Sequence, residues 1–574
     1  MKKNLSKYLS PNIKPKQLRE SNVHEIIDDT TDIIKITQSL CPECAEEGKY
    51  SRMKLLAVVY RDADNVMIKK KCPKHGIFDE LYWGDYDMYR RAERFQDKGI
   101  KIETPGVRVS ESEHNCPLDC GLCPYHKSQT ALANIVVTNR CDLNCWYCFF
   151  YAKKGQAIYE PTLEQIRKML RELKNQKPVG CNAVQFTGGE PAVREDIIAI
   201  LKIAKEEGYD HIQFNTNGIE MYRNPTFVKS LVAADVNTVY LSFDGVSPES
   251  NPKNYWEIPG ILDNMRASVS ASPRGLPLMA TLVPTVINGV NDHELWDIIR
   301  FAGKNVDVVR AINFQPISIV GRTPRAKRRQ MRITIPDAIK KIEIQSKGKI
   351  RKEDFFPIPC VRSVSDFMDE LSGRQRYRFS NHFACGKATY LFRDKNGELI
   401  PLPQFFDVEG FFAYLDTLTN EMRGRGNTAK AKATAKLLVK IKSFVDEEKV
   451  PEGLKIGKML YDAMVKGDYD GLREFHHKSI FVGMMHFMDL YNYDVDRVER
   501  CNIHYAMPDG RRVPFCAFNV LPSLYRDKVQ AKFATPWAEW HKKNPDKKIE
   551  FYKRSLTAKD KKKVRGYYQR SLAE

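Results

Sequence analysis

The sequence predicts an α/β protein built around a parallel sheet, and three observations carry that prediction. Between Asn134 and Gly348, six short runs rich in apolar and β-branched residues alternate with amphipathic stretches, the pattern of repeated βα units. Each run closes at or near a Gly, Asn, Asp or Pro, where a strand gives way to a loop. The chain of 574 residues is 42% hydrophobic and 29% charged, a balance that suits a folded protein of several units and excludes a disordered or collagen-like one.

Taken in order, residues 1–36 read as a weakly structured arm with one short helix. Residues 37–92 read as a metal-binding ribbon, because Cys41-Pro-Glu-Cys44 and Cys72-Pro-Lys-His75-Gly76 are two knuckles joined through strand-like runs such as Leu55–Tyr60. Such knuckles hold one tetrahedral ion, here through Cys41, Cys44, Cys72 and His75; the ligand set fits zinc or the iron of a rubredoxin-like site. Residues 93–132 carry a further group of cysteines. Over 133–348 the expected strands are Ile135–Thr138, Ala183–Thr187, His211–Asn215, Thr238–Phe243, Leu278–Val283 and Ala311–Gln315. The helices between them include Thr162–Asn175, which opens on a Thr162/Gln165 capping box, and Glu195–Glu207, Pro225–Ala234 and Asp292–Gly303. Six βα units make a partial (β/α)6, TIM-like barrel with its site on the loops after the strands' C-terminal ends. Residues 349–541 break this rhythm and read as a separate α+β unit. It has hairpins at Phe383–Ile400 and Cys501–Phe518 and basic helices at Thr428–Lys442 and Leu454–Val465. Residues 542–574 read as a basic tail.

Lys and Arg number 92 against 72 Asp and Glu, leaving +20, and the stretch from Lys542 to Glu574 holds 12 of the former against 4 of the latter. Such a balance favours a polyanionic partner, whether nucleic acid, an anionic membrane surface or a phosphorylated substrate; the alternative is a solvated basic surface. No stretch reaches the roughly 18 apolar residues of a spanning helix. The first 19 residues lack an apolar signal core, so a cytoplasmic protein is expected. There the 14 cysteines remain reduced, and nine of them fall in three groups before residue 150, a metal-binding distribution.

The chemistry concentrates in Cys141-Asp-Leu-Asn-Cys145-Trp-Tyr-Cys148, directly after the first barrel strand. Three thiolates can hold three irons of a 4Fe–4S cube, which leaves the fourth iron open to another ligand. The second strand ends in Thr187-Gly188-Gly189-Glu190-Pro191, where glycine backbone and a carboxylate suit an ammonium group. This combination resembles the radical S-adenosylmethionine (SAM) superfamily. The resemblance implies that Cys141, Cys145 and Cys148 bind the cluster whose open iron is chelated by the amino and carboxylate groups of SAM. It further implies that Gly188, Gly189 and Glu190 bind the methionine part, that Tyr147 lies near the adenine, and that Asn215, Ser242 and Asp244 bind the carboxylate and ribose. Upstream, Cys116-Pro-Leu-Asp-Cys120-Gly-Leu-Cys123 repeats the spacing and reads as an auxiliary cluster without an evident fourth ligand. Cys360, Cys385, Cys501 and Cys516 are a complete set for a third cube; the alternative is buried free thiols. Cys181 reads as core.

Beyond the superfamily, the two consecutive cysteine motifs, the Cys120–Thr130 segment, the ribbon, and the stretches Val179–Pro191 and Asn313–Ser318 resemble the archaeal tetraether lipid synthase family. Some of its members have been read as methylases of the methanopterin ring. That resemblance implies reductive cleavage of SAM to methionine and a 5′-deoxyadenosyl radical, which takes hydrogen from the terminal methyl of an isoprenoid chain. Two such carbons from two diether lipids are then joined, with an auxiliary cluster holding the first carbon radical and the ribbon iron relaying electrons. The implied partners are archaeal diether phospholipids met at the inner face of the membrane, and a low-potential electron donor such as ferredoxin or flavodoxin. Rival readings are a methylase of a pterin or other small ring, an RNA- or peptide-modifying enzyme, and a non-catalytic iron–sulfur carrier. No familiar RNA-binding module is present, so nucleic acid is not the expected partner.

Overall fold

The computed structural model describes residues 5–11, 13, 23–100, 102–103, 115–150, 156–273, 275–465, 475, 478–547 and 550–573. Parts of the predicted arm, of the 93–132 segment, of the 349–541 unit and of the tail lie outside the described residues. Four antiparallel strands, β1 (Asp32–Leu40), β2 (Lys54–Asp62), β3 (Asn65–Cys72) and β4 (Gly76–Trp83), form the ribbon in chain order. β3 and β4 close over the second knuckle, where Cys72 pairs with Gly76 and a φ of +77° calls for glycine.

Alternation along β3 turns Val66, Ile68, Lys70 and Cys72 inward. The buried Lys70 ammonium donates to Ser39 Oγ at 2.9 Å and to the carbonyls of Leu490 and Tyr491 at 2.7 and 3.0 Å. Nearby, Lys35 Nζ lies 2.6 Å from Asp494 Oδ2, and Thr37 Oγ1 and Tyr82 OH each donate to the same carboxylate at 2.8 Å. The ribbon is therefore fastened to the loop around 489–494 by buried polar contacts. Burial opposes ionisation of Asp494, but the Lys35 charge outweighs it and holds the carboxyl below its ordinary range. Removing one partner of a buried pair leaves the other uncompensated, so Asp494→Asn is expected to lower unfolding free energy by about 3–5 kcal/mol. A depressed carboxyl pKa stabilises above the unfolded value of about 3.9 and ceases to do so as pH falls through the folded value, so parent and variant should converge in acid. Denaturant titration across pH checks both expectations.

The central sheet contains six parallel strands in chain order: β5 (Leu132–Thr138), β6 (Ala183–Gly188), β7 (His211–Thr216), β8 (Thr238–Ser242), β9 (Met279–Val283) and β10 (Val309–Pro316). Helices α1 (Leu163–Lys174), α2 (Ile197–Glu206), α3 (Pro225–Ala233), α4 (Ile258–Ala267) and α5 (Leu295–Lys304) follow the strands in alternation. The Thr162/Gln165 capping box is present at the start of α1. Val184, Phe186, Ile212, Phe214, Val239, Leu241, Ala280 and Leu282 are fully buried and join the helices in one apolar core. The intervening strand positions carry polar groups. Gln185 Nε2 donates to Asn134 Oδ1 at 2.9 Å, Gln213 donates to Gln185, and Tyr240 OH accepts from Asn313 and, at 3.1 Å, from Gln315.

Three expectations are corrected. The 349–541 region does not build a sheet of its own. β11 (Gly386–Arg393) and β12 (Ser479–Met485) extend one edge beyond β10, and β13 (Ile503–Ala506) and β14 (Arg512–Pro514) extend the other beyond β5. A parallel six-stranded sheet leaves unpaired N–H and C=O rows at both edges, and these strands satisfy them. Among the described residues no pairing joins the two ends, so the sheet remains open. The described part of the arm is not loose: Leu5, Ile13, Val23, Ile26 and Ile27 pack on Ile33, Ile36 and Val58 of the ribbon. The tail carries a helix, Ala558–Leu572, opened by a Thr557/Asp560 capping box and docked through Tyr568. No helix of the described residues is long and apolar enough to cross a membrane.

Candidate active site and metal centres

Of the predicted ligand groups, the ribbon set converges most tightly. The Sγ atoms of Cys41, Cys44 and Cys72 lie 3.4, 3.5 and 3.5 Å from His75 Nδ1, and Cys44 Sγ lies 3.9 Å from Cys72 Sγ. A tetrahedral ion at about 2.3 Å from sulfur and about 2.0 Å from nitrogen demands edges of about 3.5–3.8 Å. The four donors are therefore already placed for one ion. Cys41 caps the short helix Pro42–Glu46, with Cys44 N donating to its sulfur at 3.5 Å. Outside the ligands, His75 Nε2 meets Glu47 Oε1 at 3.3 Å, which orients the ring so that Nδ1 faces the thiols. Hydrogen bonds from Lys74 and then Lys49 hold the Glu47 carboxyl down to about 2.

The three cysteines expected at the open-iron cluster stand in the loop that leaves β5. The end of β6 packs directly against this loop: Gly189 N donates to Thr138 O at 2.9 Å and Glu190 N to Arg140 O at 2.8 Å. A Cβ at Gly188 would lie 2.1 Å from Thr138 O, and one at Gly189 2.1 Å from Arg140 O and 3.0 Å from Cys141 Cβ. The glycines are thus demanded by backbone contact between two strand ends. Gly189→Ala is expected to displace Cys141 and lower cluster iron per chain while the ribbon ion is retained, measured by metal analysis. From the other side, the loop after β10 clasps the cysteine loop: Arg322 N donates to Cys148 O at 3.2 Å, its guanidinium reaches Asn144, and a Cβ at Gly321 would lie 2.6 Å from Cys148 O.

Glu190 is buried, and its carboxylate accepts from Ala192 N at 3.0 Å, Thr216 Oγ1 at 2.7 Å and Asn217 N at 2.7 Å. Asn217 Nδ2 also donates to Asp142 Oδ1 at 2.7 Å. Burial and the nearby Asp142 charge push the Glu190 carboxyl up to about 8. Neither acid forms a salt bridge among the described residues, so this corner is short of positive charge. Burial, with Asp142 and Glu190, likewise raises the Cys141 thiol. An iron on the thiolate and an ammonium between the carboxylates would each supply the missing charge, which is the donor chemistry that a cluster and SAM require.

On the opposite side, Tyr147 OH donates to Asp244 Oδ2, and Lys253 Nζ bridges the two, at 2.7 Å from Asp244 and 3.1 Å from Tyr147 OH. Asp244 Oδ1 accepts from Thr285 N at 3.0 Å. Asn215 Nδ2 donates to Thr187 Oγ1 at 3.0 Å, and Asn254 Nδ2 holds the carbonyls of Ser242 and Asn217 at 2.8 and 2.7 Å. All the residues expected to meet SAM therefore gather at the C-terminal ends of β5 to β8. Asp142, Asn217, Lys253, Asn254 and Arg322 escaped sequence reading. Asp142, inside Cys141-Asp-Leu-Asn-Cys145, and Asn217, inside Asn215-Thr-Asn-Gly218, had a motif to mark them.

The remaining cysteines divide unevenly. Cys116, Cys120 and Cys123 line a small cleft together with Asp119, His126 and Glu499. Tyr525 braces their loop, accepting from Cys120 N at 3.1 Å and donating to Pro117 O. Cys516 is buried and Cys501 half-buried; they lie near each other, near Cys385 and beside the buried Arg497, and burial raises the Cys516 thiol to about 12. Cys360 stands in a different apolar cluster with Phe356, Phe367 and Phe405, so the geometry groups three of the expected four. Cys181 is fully buried. The ribbon cysteines, Cys116, Cys120, Cys148, Cys501 and Cys516 all border one apolar cluster with Tyr493 and Tyr505.

Comparison with known proteins bears on this arrangement. The family described as Radical SAM superfamily matches residues 135–302, and the HMPTM N-terminal zinc ribbon domain matches residues 33–84. The chain is 41% identical over 513 residues to the Methanocaldococcus jannaschii protein named 7,8-dihydro-6-hydroxymethylpterin dimethyltransferase, covering 88% of this chain and 97% of that one. It is 32% identical over 186 residues to a probable GTP 3′,8-cyclase of Pyrococcus abyssi, covering 32% of this chain and 56% of the relative. The structure of Streptococcus suis SuiB bound to S-adenosylmethionine covers 38% of this chain and 48% of its own, at 17% identity and a TM-score of 0.30, too low to argue from.

Proposed function

Because the chain belongs to the radical SAM superfamily, in the family of its Methanocaldococcus jannaschii relative, we propose that it forms carbon–carbon bonds by radical SAM chemistry, with a reduced pterin as its substrate. The observation that carries this reading is a relative matched over nearly its whole length and named as a dimethyltransferase of 7,8-dihydro-6-hydroxymethylpterin. The amide and hydroxyl groups of Asn134, Gln185, Gln213, Asn313 and Tyr240 along one sheet face agree with a hydrogen-bonding ring. This substrate takes the place of the isoprenoid chains that the sequence resemblance favoured.

Cys141, Cys145 and Cys148 would hold the 4Fe–4S cluster, which when bound supplies the electron that cleaves SAM to a 5′-deoxyadenosyl radical. Glu190 would face the methionine ammonium, with Asn217 holding both it and Asp142. Asp244, Tyr147 and Lys253 would border the ribose and adenine. Cys116, Cys120 and Cys123 would hold an auxiliary cluster, and Cys385, Cys501 and Cys516 a further one, with Cys360 set apart in its own apolar cluster. The ribbon would hold zinc, as the name of its family suggests, in place of a rubredoxin-like iron. A ferredoxin or flavodoxin would deliver electrons.

One surface favours the second reading, coupling of isoprenoid chains of diether lipids at the inner face of a membrane. From Arg423 to Lys442 the chain has seven Lys or Arg and no Asp or Glu, and the helix Asn427–Lys440 exposes Leu438 and Val439 at 53% and 80%. Apolar side chains among lysines suit an anionic bilayer surface. Anaerobic incubation with reductant and SAM, offering 7,8-dihydro-6-hydroxymethylpterin in one reaction and diether lipid in another, separates the readings by product mass. Methylated pterin supports the first, coupled lipid the second, and 5′-deoxyadenosine without either product rejects both substrates.

A further inference from the structure

The last residues of the chain, read from sequence as a basic tail, run across the rim of the candidate SAM site. The crossing begins where Thr535 and Ile158 exchange two 2.8 Å backbone hydrogen bonds beside the cysteine loop. The Arg140 guanidinium lies 5.1 Å over the Trp540 ring. Tyr552 N then donates to Asp142 O at 2.7 Å, inside the cysteine motif itself. Arg554 makes a forked pair with the buried Glu257, at 2.6 and 3.0 Å, and also donates to Lys253 O at 3.1 Å. The helix Ala558–Leu572 completes the crossing: Tyr568 stacks on Tyr255 at 4.3 Å and donates to its carbonyl at 3.1 Å, and Tyr567 OH donates to Asn305 at 2.6 Å.

The contacts of Arg554 and those of Tyr568 with Tyr255 fall on the segment 252–257, which presents Lys253 to Asp244 and Tyr147 and Asn254 to Ser242 and Asn217. That segment leaves the end of β8 and is otherwise a loop of turns. Its placement depends on what grips it from outside. A bidentate guanidinium on a buried carboxylate is a directional grip that a lysine reproduces only as a point charge.

We infer that Tyr552–Leu572 is a strap that sets the ribose and adenine side of the SAM pocket by holding Lys253 against Asp244 and Tyr147, with Arg554 as a positioning residue. This rests on the reading that Tyr147 and Asp244 face SAM. Arg554 acts through the 252–257 segment, and the strap's contact with the cysteine loop is made by Tyr552.

The test uses the full-length, cluster-loaded protein, reduced anaerobically and titrated with SAM while the electron paramagnetic resonance signal of the reduced cluster is followed. Arg554→Gln is expected to raise the SAM dissociation constant about tenfold, as outer-layer partners commonly do, with cluster iron unchanged. Arg554→Lys should fall between it and the parent. Equal SAM affinity in all three proteins overturns the inference. Should Arg554→Gln fail to fold, the comparison of Arg554→Lys with the parent decides, since the retained cation keeps Glu257 paired. A parent whose signal does not respond to SAM at all would instead remove the underlying reading of the site.

Discussion

Replacing Cys141, Cys145 and Cys148 together by alanine is expected to abolish 5′-deoxyadenosine formation and to remove about four irons per chain, leaving the ribbon ion in place. Neither the auxiliary thiols nor the ribbon can compensate, because only this loop stands against Gly189 and Glu190 at the end of β6. The fold should survive: the three thiols are half-buried in a loop, and the strands beneath draw their stability from the core of Val184, Phe186, Ile212 and Phe214. Iron and sulfide analysis, with chromatography of the SAM reaction, checks the expectation. Continued 5′-deoxyadenosine production by the variant would mean that the open iron lies elsewhere, with the Cys116 group as the next candidate.

Cys44→Ser with Cys72→Ser is expected to have the largest effect on stability. Structural zinc sites contribute on the order of 10–16 kcal/mol of binding free energy to folding, and a four-stranded ribbon of this size buries too little to fold without it. The loss should propagate. Lys35, Ser39 and Lys70 lie on β1 and β3 and hold the 489–494 loop through Asp494 and three backbone carbonyls, so an unfolded ribbon strands a buried aspartate. Hydrogen exchange should show protection lost across β1 to β4 and weakened around 489–494, with one metal ion fewer per chain. Retention of the ion, or exchange that matches the parent, would count against the four-ligand site.

These expectations draw on sequence and structure to different degrees. The six strands and the first helix were legible because alternation of apolar residues, a capping box and turn residues all act within a few positions. Cys41, Cys44, Cys72 and His75 were legible because the knuckles bring their ligands together through local turns, and the hairpin pairing of Cys72 with Gly76 finishes the set. The two glycines before Glu190 were visible as a motif, but their reason was not: the obstacle to a side chain is the backbone of Thr138 and Arg140, about 50 residues away.

Sequence reading assigns the hairpins around 386–393 and 503–506 to a separate unit and names no strand at 479–485, because nothing local says which edge a strand will join. Hydrogen-bonding rows left open at the margins of the parallel sheet decide that. Cys360 was counted with Cys385, Cys501 and Cys516 on number alone, and its burial among Phe356, Phe367 and Phe405 separates it. The C-terminal residues looked like a tail because their composition is basic; Arg554 and Tyr568 have partners some 300 positions earlier. By itself, then, the sequence determined the six parallel strands and their helices, the ribbon ligand set and the radical SAM motif, since each is written in spacings shorter than one βα unit. The pairing of sheet edges, the grouping of the distant thiols and the strap across the site were decided only by tertiary structure, because each depends on which surfaces remain unsatisfied once the local elements have formed.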